Sequence, residues 1–397
     1  MEPRSRIDGN APTFAREPVQ RPCAPVRATS VVRVPRVALS AVAVLLLLAI
    51  APPAATAAGQ PLPKRFAGVV YDREIHTAPQ ALQRQQWATM AASGVESARV
   101  LFMWEAAQRR KGDPISFAHS DVLVEESARQ GIELLPIVMY APAWARLANH
   151  PSSAPRDNAE YTRYLRALVR RYGPDGGFWR THPDVPRRPV RAWQIWNEPH
   201  LEWQFHPAEG WAERYGALLR ASYRAVKRAD PGARVVLGGI VNDAWRSLEK
   251  LSRRGRIAGF YDVAALHAYA GNPDDFVEVL RRFRAALDAS GGRKRPIYIT
   301  EAGASASAGV LHAPEQSYFQ VTQADMRRLV PAAFKRLARV SAANRLERVY
   351  WYTWASGYTA DMTIFGFAGL NAYERGGEVF PLPGLEGYRK MARELRR

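Results

Sequence analysis

The sequence predicts a (β/α)8 TIM barrel, in which eight parallel strands alternate with helices that cover the outside of the sheet. From Phe66 onward, short runs of β-branched and aromatic residues alternate with longer amphipathic segments, the pattern of βα units around a parallel sheet. Eight such runs occur. They lie within about 290 residues, close to the usual size of this barrel. We therefore expect one α/β domain.

The predicted strands are short and apolar, and each leaves room for a helix before the next strand begins. They are FAGVVY (66–71), SARVLFM (97–103), ELLPIVM (133–139), VRAWQIW (190–196), RVVLGGI (234–240), DVAALHA (262–268), PIYIT (296–300) and ERVYWYT (347–353). We find no fixed-length repeat and no boundary of a second domain, so residues 59–397 are expected to form a single catalytic barrel.

The helices between the strands are predicted from apolar residues that recur at helical spacing. One helix begins after Asp157 or Asn158 as N-cap and ends at Gly173, and its apolar positions fall on one side. A second runs from Trp211 to about Val226, before a turn at 230–232. The connection 173–190 is rich in Pro and Gly and predicts no element, whereas 385–395 predicts a last helix on the barrel exterior.

Composition narrows the class of protein. Of 397 residues, 47% are hydrophobic and 23% are charged, which excludes a disordered chain and a polytopic membrane protein. A single cysteine excludes a disulfide scaffold and a Cys-rich zinc module. The net charge of +19 indicates either an anionic partner or an Arg-rich surface.

The first 58 residues have the features of a secretory signal with an N-terminal extension. A polar segment with seven Arg and three acidic residues precedes an uncharged apolar run at 37–50, and small residues follow, with cleavage expected near Ala57 or Ala58. The protein is then secreted, loses Cys23, and keeps a net charge of about +15. The alternative is an uncleaved membrane anchor at 37–50, although this run is shorter than the about 20 residues that span a bilayer.

Two glutamates occupy matching positions at the ends of strands four and seven. Glu198 follows the apolar run 190–196, and Glu301 follows 296–300. Because chemistry in such barrels takes place where the strands end, we expect the two carboxyl groups to face each other across the mouth. Facing carboxyl groups are what glycoside hydrolysis requires: a separation of about 5 to 5.5 Å predicts retention of anomeric configuration, and about 6.5 to 9.5 Å predicts inversion.

The motifs W-N-E-P at 196–199 and T-E at 300–301, with RYGPDGGFW at 171–179, resemble the clan-A retaining glycoside hydrolases. The resemblance runs from Phe66 to the C-terminus and is strongest to family 39, with the cellulase-like family 5 next. It implies that a secreted enzyme cleaves a β-linked oligo- or polysaccharide by double displacement, and we expect no cofactor. The eight histidines form no H-E-x-x-H motif and no close ligand cluster in the sequence, so we expect no metal either. Glu198 matches the general acid/base, and Glu301 matches the nucleophile.

The same resemblance assigns supporting residues. Asn197 matches the residue that binds the sugar 2-hydroxyl, and Arg99 matches the arginine that keeps the nucleophile ionised. His267 and Tyr269 match an H-x-Y pattern on strand six, with Tyr269 placed to hydrogen-bond Glu301. The strand-eight aromatic beneath the sugar corresponds to Trp354, with Trp351 as a competing assignment. In the family an aromatic residue usually follows the nucleophile, but here Ala302 and Gly303 follow Glu301. The substrate contact at that point is therefore left open.

Other features give weaker indications. Aromatic residues in the predicted strand-end loops either stack on sugars or pack the loops: Trp104, Trp144, Trp203, Phe205 and Tyr358. Residues 356–384 are long for a βα loop and are expected to form one wall of the cleft. GASASAG (303–309) lacks the spacing of a serine nucleophile elbow and is interpreted as a flexible loop.

The expected partner is a carbohydrate, with a bias toward anionic glycans or the cell envelope. Arginine pairs are dispersed along the chain and do not form one basic strip, so we expect no nucleic-acid partner. Two alternatives use the same barrel: a glycan-binding protein without turnover, and a transglycosylase. The sugar, its linkage and the oligomeric state are not predicted by the sequence.

Overall fold

The computed structural model describes residues 61–241, 244–357, 363–374 and 377–396. Its centre is a sheet of eight parallel strands, β1 Ala67–Tyr71, β2 Ser97–Met103, β3 Glu133–Met139, β4 Ala192–Ile195, β5 Arg234–Val236, β6 Ala264–Tyr269, β7 Ile297–Gly303 and β8 Leu346–Trp351. The strands neighbour one another in the order β5-β4-β3-β2-β1-β8-β7-β6. All eight predicted strands are therefore present.

The sheet closes between its two edge strands. Two isolated parallel bridges cross the gap between β5 and β6, and they join Val236 to Val263 and Ile240 to Leu266. A sheet of eight parallel strands that closes on itself, with helices between successive strands, is a (β/α)8 barrel. The predicted fold class is confirmed.

Helices alternate with the strands, and the longer ones cover the outside of the barrel. They are α1 Gln80–Ala92, α2 Trp104–Ala107, α3 Ala118–Arg129, α4 Asn158–Tyr172, α5 Gly177–Thr181, α6 Trp211–Ala229, α7 Ala244–Gly255, α8 Pro273–Ala289, α9 Gln323–Asn344 and α10 Pro383–Leu395. Short 3-10 turns occur at Arg73–Thr77, Ala143–Ala145, Pro314–Phe319 and Ile364–Phe367.

The two helices predicted from apolar spacing have the expected limits. The Asp157 side chain accepts a hydrogen bond from the Ala159 N–H at 2.8 Å and caps α4, and the chain leaves this helix at Gly173. Helix α6 begins at Trp211 and ends at Ala229, with Asp230 as its C-cap. The last predicted helix is α10, which packs on α9.

The connection 173–190 contains a short helix that the sequence did not predict. In α5, Trp179 donates its indole N–H to the carbonyl of Gly173 at 3.0 Å, and the Phe178 ring packs 5.6 Å from that of Tyr172. Contacts with the end of α4 therefore stabilise this turn. Because the surrounding segment is rich in Pro and Gly, it shows no apolar periodicity from which this helix could be predicted.

The segment after β8 forms a small sheet of its own. Strands β9 Ala355–Ser356 and β10 Asn371–Tyr373 pair in parallel, and β11 Val379–Pro381 pairs antiparallel to β10. The long loop predicted at 356–384 is thus partly ordered into strands, and Tyr358 lies outside the described residues.

The predicted leader 1–58, with Cys23 and the apolar run 37–50, also lies outside the described residues, so its role and the domain boundary at 58/59 stay predictions. Within the part of the chain that the structure describes, no helix combines the length and the apolar character needed to cross a bilayer.

Candidate active site

Glu198 and Glu301 lie together at the mouth of the barrel, where the sequence predicted them to meet. Both are buried, with 5% and 6% of their surface exposed. One carboxylate oxygen from each and a ring nitrogen of His267 lie within 4.8 Å of one another. Glu198 follows β4, whereas Glu301 lies inside β7 and not beyond its end.

The chain turns sharply where β4 ends. Trp196 and Glu198 have positive φ angles of 62° and 40°, in the left-handed region that residues other than glycine seldom adopt. Hydrogen bonds fix this turn: the Trp196 backbone N–H donates to Val138, and its indole N–H donates to the Gln204 carbonyl at 2.7 Å. Such conformations cost about 1–3 kcal/mol each and persist where surrounding contacts hold them, often at functional sites.

A bulge sets the position of Glu301. Along the pairing of β6 with β7, Leu266 lies opposite Ile299, but the next residue, His267, lies opposite Glu301. Thr300 is thus the extra residue in β7. A bulge re-aims the side chains that follow it, and here it brings Glu301 beside the two strand-six residues that contact its carboxylate.

Two donors hold the Glu301 carboxylate. Arg99 donates from Nη1 to Oε1 at 2.7 Å, and the Tyr269 hydroxyl donates to Oε2. Burial alone would raise the pKa of Glu301, but the charges of His267 and Arg99 and these two hydrogen bonds outweigh it, so the pKa lies below its usual range. Burial, together with the charge of Glu301, raises the pKa of the Tyr269 hydroxyl well above its usual value, so this group stays a donor.

Arg99 joins Glu301 to strand four. Its Nε donates to Gln194 Oε1 at 2.8 Å, and its Nη2 donates to Asn197 Oδ1 at 2.6 Å. A guanidinium that is only 1% exposed is stable because acceptors surround it. With Oδ1 held by Arg99, the Asn197 amide is left to present its N–H groups to a ligand. Gln194 was missed by the sequence analysis, although a polar residue inside an apolar strand run is a usable signal.

Glu198 has a different environment. His267 Nδ1 lies 2.7 Å from its Oε1. Burial raises the pKa of Glu198 above its usual range and the nearby Glu301 charge adds to this, while the contact with His267 opposes it. His267 is seated against Gly239, where a Cβ atom would lie 1.8 Å from Nε2, so only glycine fits there.

The two carboxyl groups are therefore driven toward opposite protonation states. Glu198 is favoured as the acid and Glu301 as the carboxylate, which is the division of roles that acid/base catalysis with a nucleophile needs. The cluster of Glu198, His267 and Glu301 also has the spacing of a metal site. The guanidinium of Arg99, 2.7 Å from Glu301, would repel a cation there, so the donor set fits proton transfer better than metal binding.

The strand-eight tryptophans do not reach this site. Trp354 is fully buried and donates its indole N–H to Gln86 of α1 at 3.0 Å, so it cannot lie beneath a bound sugar. Trp351 faces the helices, with its ring 6.1 Å from that of Phe276. The aromatic residue of this segment that lies beside the site is Tyr352, whose ring is 6.0 Å from that of Tyr269. The strand register, which the sequence left open, decides this.

Tyr140 is a second residue that the sequence analysis missed. It follows β3 directly, has a positive φ of 60° and is half-buried. Burial raises the pKa of its hydroxyl, and the charges of Asp72, Glu105 and Glu198 add to this, which places it among the carboxylates of the mouth. Its only signal in the sequence is its position immediately after a strand.

The loop aromatics divide between packing and exposure. Trp104 and Phe205 are fully buried and pack the loops, whereas Trp203 is 56% exposed and is open to a ligand. Trp144 is partly buried and donates to the Gln108 carbonyl at 3.1 Å.

The loop 303–309, interpreted as flexible, is instead held by the buried Ser305, whose hydroxyl donates to the Ile364 carbonyl at 2.6 Å. This bond ties the β7 loop to the β8 segment.

Solved structures share this architecture. A family 39 glycoside hydrolase from Bacteroides cellulosilyticus WH2 superposes with a TM-score of 0.62 at 17% identity, over 83% of this chain and 64% of that one. A glucosidase from Croceicoccus marinus gives 0.58 at 15%, over 85% and 69%. The GH53 catalytic domain of Ignisphaera aggregans gives 0.55 at 16%, over 84% and 98%.

No protein-family profile matches the chain, and the comparison with curated proteins found no match. The chain spans less than two thirds of the length of the family 39 enzyme. At these identities the similarity establishes the fold, and the predicted resemblance to clan-A glycoside hydrolases is confirmed at that level.

Proposed function

We propose that this protein is a retaining glycoside hydrolase that cleaves O-glycosidic bonds of a β-linked oligo- or polysaccharide. The observation that carries the proposal is the buried pair Glu198 and Glu301, close together and with pKa values displaced in opposite directions. A separation within 4.8 Å between two oxygens is in keeping with the close carboxyl groups of retaining enzymes and leaves little room for the water that inversion needs. The glycosidases with similar folds add support.

In the first step, Glu198 transfers its proton to the glycosidic oxygen while an oxygen of Glu301 attacks the anomeric carbon. The carbon–oxygen bond to the leaving group breaks, and a glycosyl ester of Glu301 forms with inverted configuration. The raised pKa of Glu198 keeps the proton available near neutral pH. The hydrogen bonds from Arg99 and Tyr269 keep Glu301 ionised and orient its carboxylate toward the anomeric carbon.

In the second step, Glu198 is a carboxylate and accepts a proton from water. The water oxygen attacks the anomeric carbon, the ester bond to Glu301 breaks, and the second inversion restores the original configuration. Once Glu301 is esterified its charge is gone, which removes one of the effects that raise the pKa of Glu198 and suits it to act as a base. A sugar hydroxyl that replaces water gives transglycosylation with the same residues.

We propose that Asn197 and Tyr352 bind the sugar in the catalytic centre. The Asn197 amide, oriented by Arg99, would donate to the 2-hydroxyl, a contact that strengthens in the transition state. Tyr352 would form the aromatic floor in place of the expected Trp354. We further propose that residues 1–58 direct the protein out of the cell, where a glycan substrate is available.

The test uses 4-nitrophenyl β-glycosides with Glu301→Ala and Glu198→Ala. Because 4-nitrophenolate needs little protonation, Glu198→Ala should keep measurable glycosylation and, with azide, release a β-glycosyl azide. Glu301→Ala should lose turnover, and azide entering its space should give the α-glycosyl azide. Glu126→Ala is the control, since Glu126 is also buried and ion-paired, 2.9 Å from Arg84, but lies on α3.

Full activity of Glu301→Ala would exclude the proposed nucleophile. Wild-type protein that binds glycans but turns over neither the aryl glycosides nor a polysaccharide panel would instead favour the glycan-binding barrel. Proton NMR of the first anomer released separates retention from inversion, and release of the α-anomer would exclude double displacement.

A further inference from the structure

A cavity of about 470 Å³ extends from the catalytic centre toward the outside of the barrel between α7 and α8. Its inner end is formed by His267 and Tyr269, the residues that contact Glu198 and Glu301. Its outer walls include Trp245 from the first turn of α7 and Tyr318 from the β7 loop. A ligand that continues beyond the catalytic pair can therefore enter this cavity.

The cavity is open because the loop after β6 is short. Only residues 270–272 separate β6 from α8, so no long loop covers this side. The Gly271 N–H donates to the Tyr318 carbonyl at 2.8 Å, and a Cβ atom on Gly271 would lie 3.0 Å from that oxygen. This close approach fixes the β7 loop as the opposite wall and leaves the passage between the walls open.

One face of α8 supplies the charged wall. Asp275, Glu278 and Arg282 are spaced three and four residues apart, so they share one face of the helix and line the cavity together. Arg282 donates to Glu278 at 2.7 Å, and its guanidinium lies 5.3 Å from the centre of the Trp245 ring. Asp275 accepts a hydrogen bond from Asn272.

These contacts decide the charge that the cavity offers. Among the described lining residues Arg282 is the only Arg or Lys, and Glu278 already neutralises it, so Asp275 leaves the wall of α8 with net negative charge. A carboxylate on a ligand would meet two carboxylates and a cation that is already paired, whereas an ammonium group would be attracted. The whole chain carries a net charge of +19, but the described residues that line this cavity do not share its positive sign.

We propose that this cavity is a second sugar-binding subsite that accepts neutral and amino sugars and discriminates against uronic acids. The inference rests on the proposed function for the nature of the ligand, a sugar, but it concerns binding and not turnover. Trp245 provides an apolar surface for a sugar ring, and Asp275 and Glu278 accept hydrogen bonds from its hydroxyl or amino groups.

Three glucose derivatives that carry a positive, a zero and a negative charge test the proposal: methyl β-glucosaminide with its amine protonated, methyl β-glucoside and methyl β-glucuronide. Binding is followed in the whole protein by the NMR signal of the Trp245 indole N–H, assigned with Trp245→Phe. We expect affinity to fall from glucosaminide to glucoside to glucuronide in steps of about threefold, the size that one partly exposed charge contributes. Glu278→Gln releases Arg282, so glucosaminide binding should weaken and glucuronide binding should improve.

Glu386→Gln is the matched control. Glu386 is also exposed and pairs with an arginine, Arg327, at 2.6 Å, but it lies on α10 and does not line the cavity, so its removal should leave the order unchanged. A preference for the glucuronide, an equal response to all three probes, or no response of the Trp245 signal to any of them overturns the proposal. Because the signal reports binding in a protein without turnover as well, a failure of catalysis and a failure of the subsite give different results.

Discussion

The hydroxyl of Tyr269 should set the pH at which the proposed nucleophile becomes active. Tyr269→Phe removes the donor to Glu301 Oε2 and keeps the ring. That ring packs among those of Phe319, Tyr352 and Phe365, with centroids 5.4 to 6.0 Å away, so the phenylalanine retains the packing. The substitution therefore isolates one hydrogen bond.

The size of the effect follows from the charge on the acceptor. A hydrogen bond to a charged group contributes about 1.5–3 kcal/mol. One pKa unit corresponds to about 1.4 kcal/mol, so losing the bond should raise the Glu301 pKa by about one to two units. The sign is upward because the hydroxyl stabilises the ionised form. Arg99 still holds Oε1, so part of the stabilisation of the ionised form remains.

The assay is the pH dependence of kcat/KM on an aryl glycoside. The acidic limb reports ionisation of the nucleophile in the free enzyme, and the basic limb reports loss of the Glu198 proton. In Tyr269→Phe the acidic limb should move to higher pH, while the basic limb stays. Tyr388→Phe is the control, because the buried Tyr388 hydroxyl on α10 has no hydrogen-bond partner among the described residues. An unmoved acidic limb in Tyr269→Phe would refute the assignment of Glu301 as the ionised partner.

Three further predictions concern the same site. Glu198→Gln should raise the Tm relative to wild type, and the gain should grow as the pH rises above the unfolded pKa of about 4.5. The reason is that folded wild-type protein binds the Glu198 proton more tightly than the unfolded chain does, so it loses stability when Glu198 ionises. A gain that is constant with pH would contradict the raised pKa. Arg99→Met should lower the free energy of unfolding by about 3–5 kcal/mol in urea titrations, since Glu301 stays buried without its ion-pair partner; a loss no larger than that of a surface arginine would contradict this role. Tyr352→Ala should lower kcat/KM by about tenfold, because it removes the aromatic surface proposed beneath the sugar. Trp354→Phe should lower the free energy of unfolding by about 1–3 kcal/mol with KM unchanged, because it leaves the buried Gln86 side chain without its donor. A raised KM in Trp354→Phe would restore the tryptophan as the sugar contact.

The sequence predicted the barrel and pointed to the two carboxylates that lie together at its mouth. Strand and helix patterns are local, since they depend on which faces of a few consecutive residues are apolar, and every predicted strand formed. Glu198 and Glu301 could be found because the ends of parallel barrel strands meet at one mouth. No contact between them had to be known for this inference.

The chemical difference between those two carboxylates depends on contacts that form in the tertiary structure. The bulge after Leu266 places Glu301 beside Tyr269, and the partners of Arg99 come from strands that are 95 and 202 residues away in the chain. The same holds for Trp354, whose direction depends on the register of β8 and not on its distance from a motif. Burial, register and distant charges set a pKa, and these arise when the barrel closes, so residue spacing alone cannot supply them.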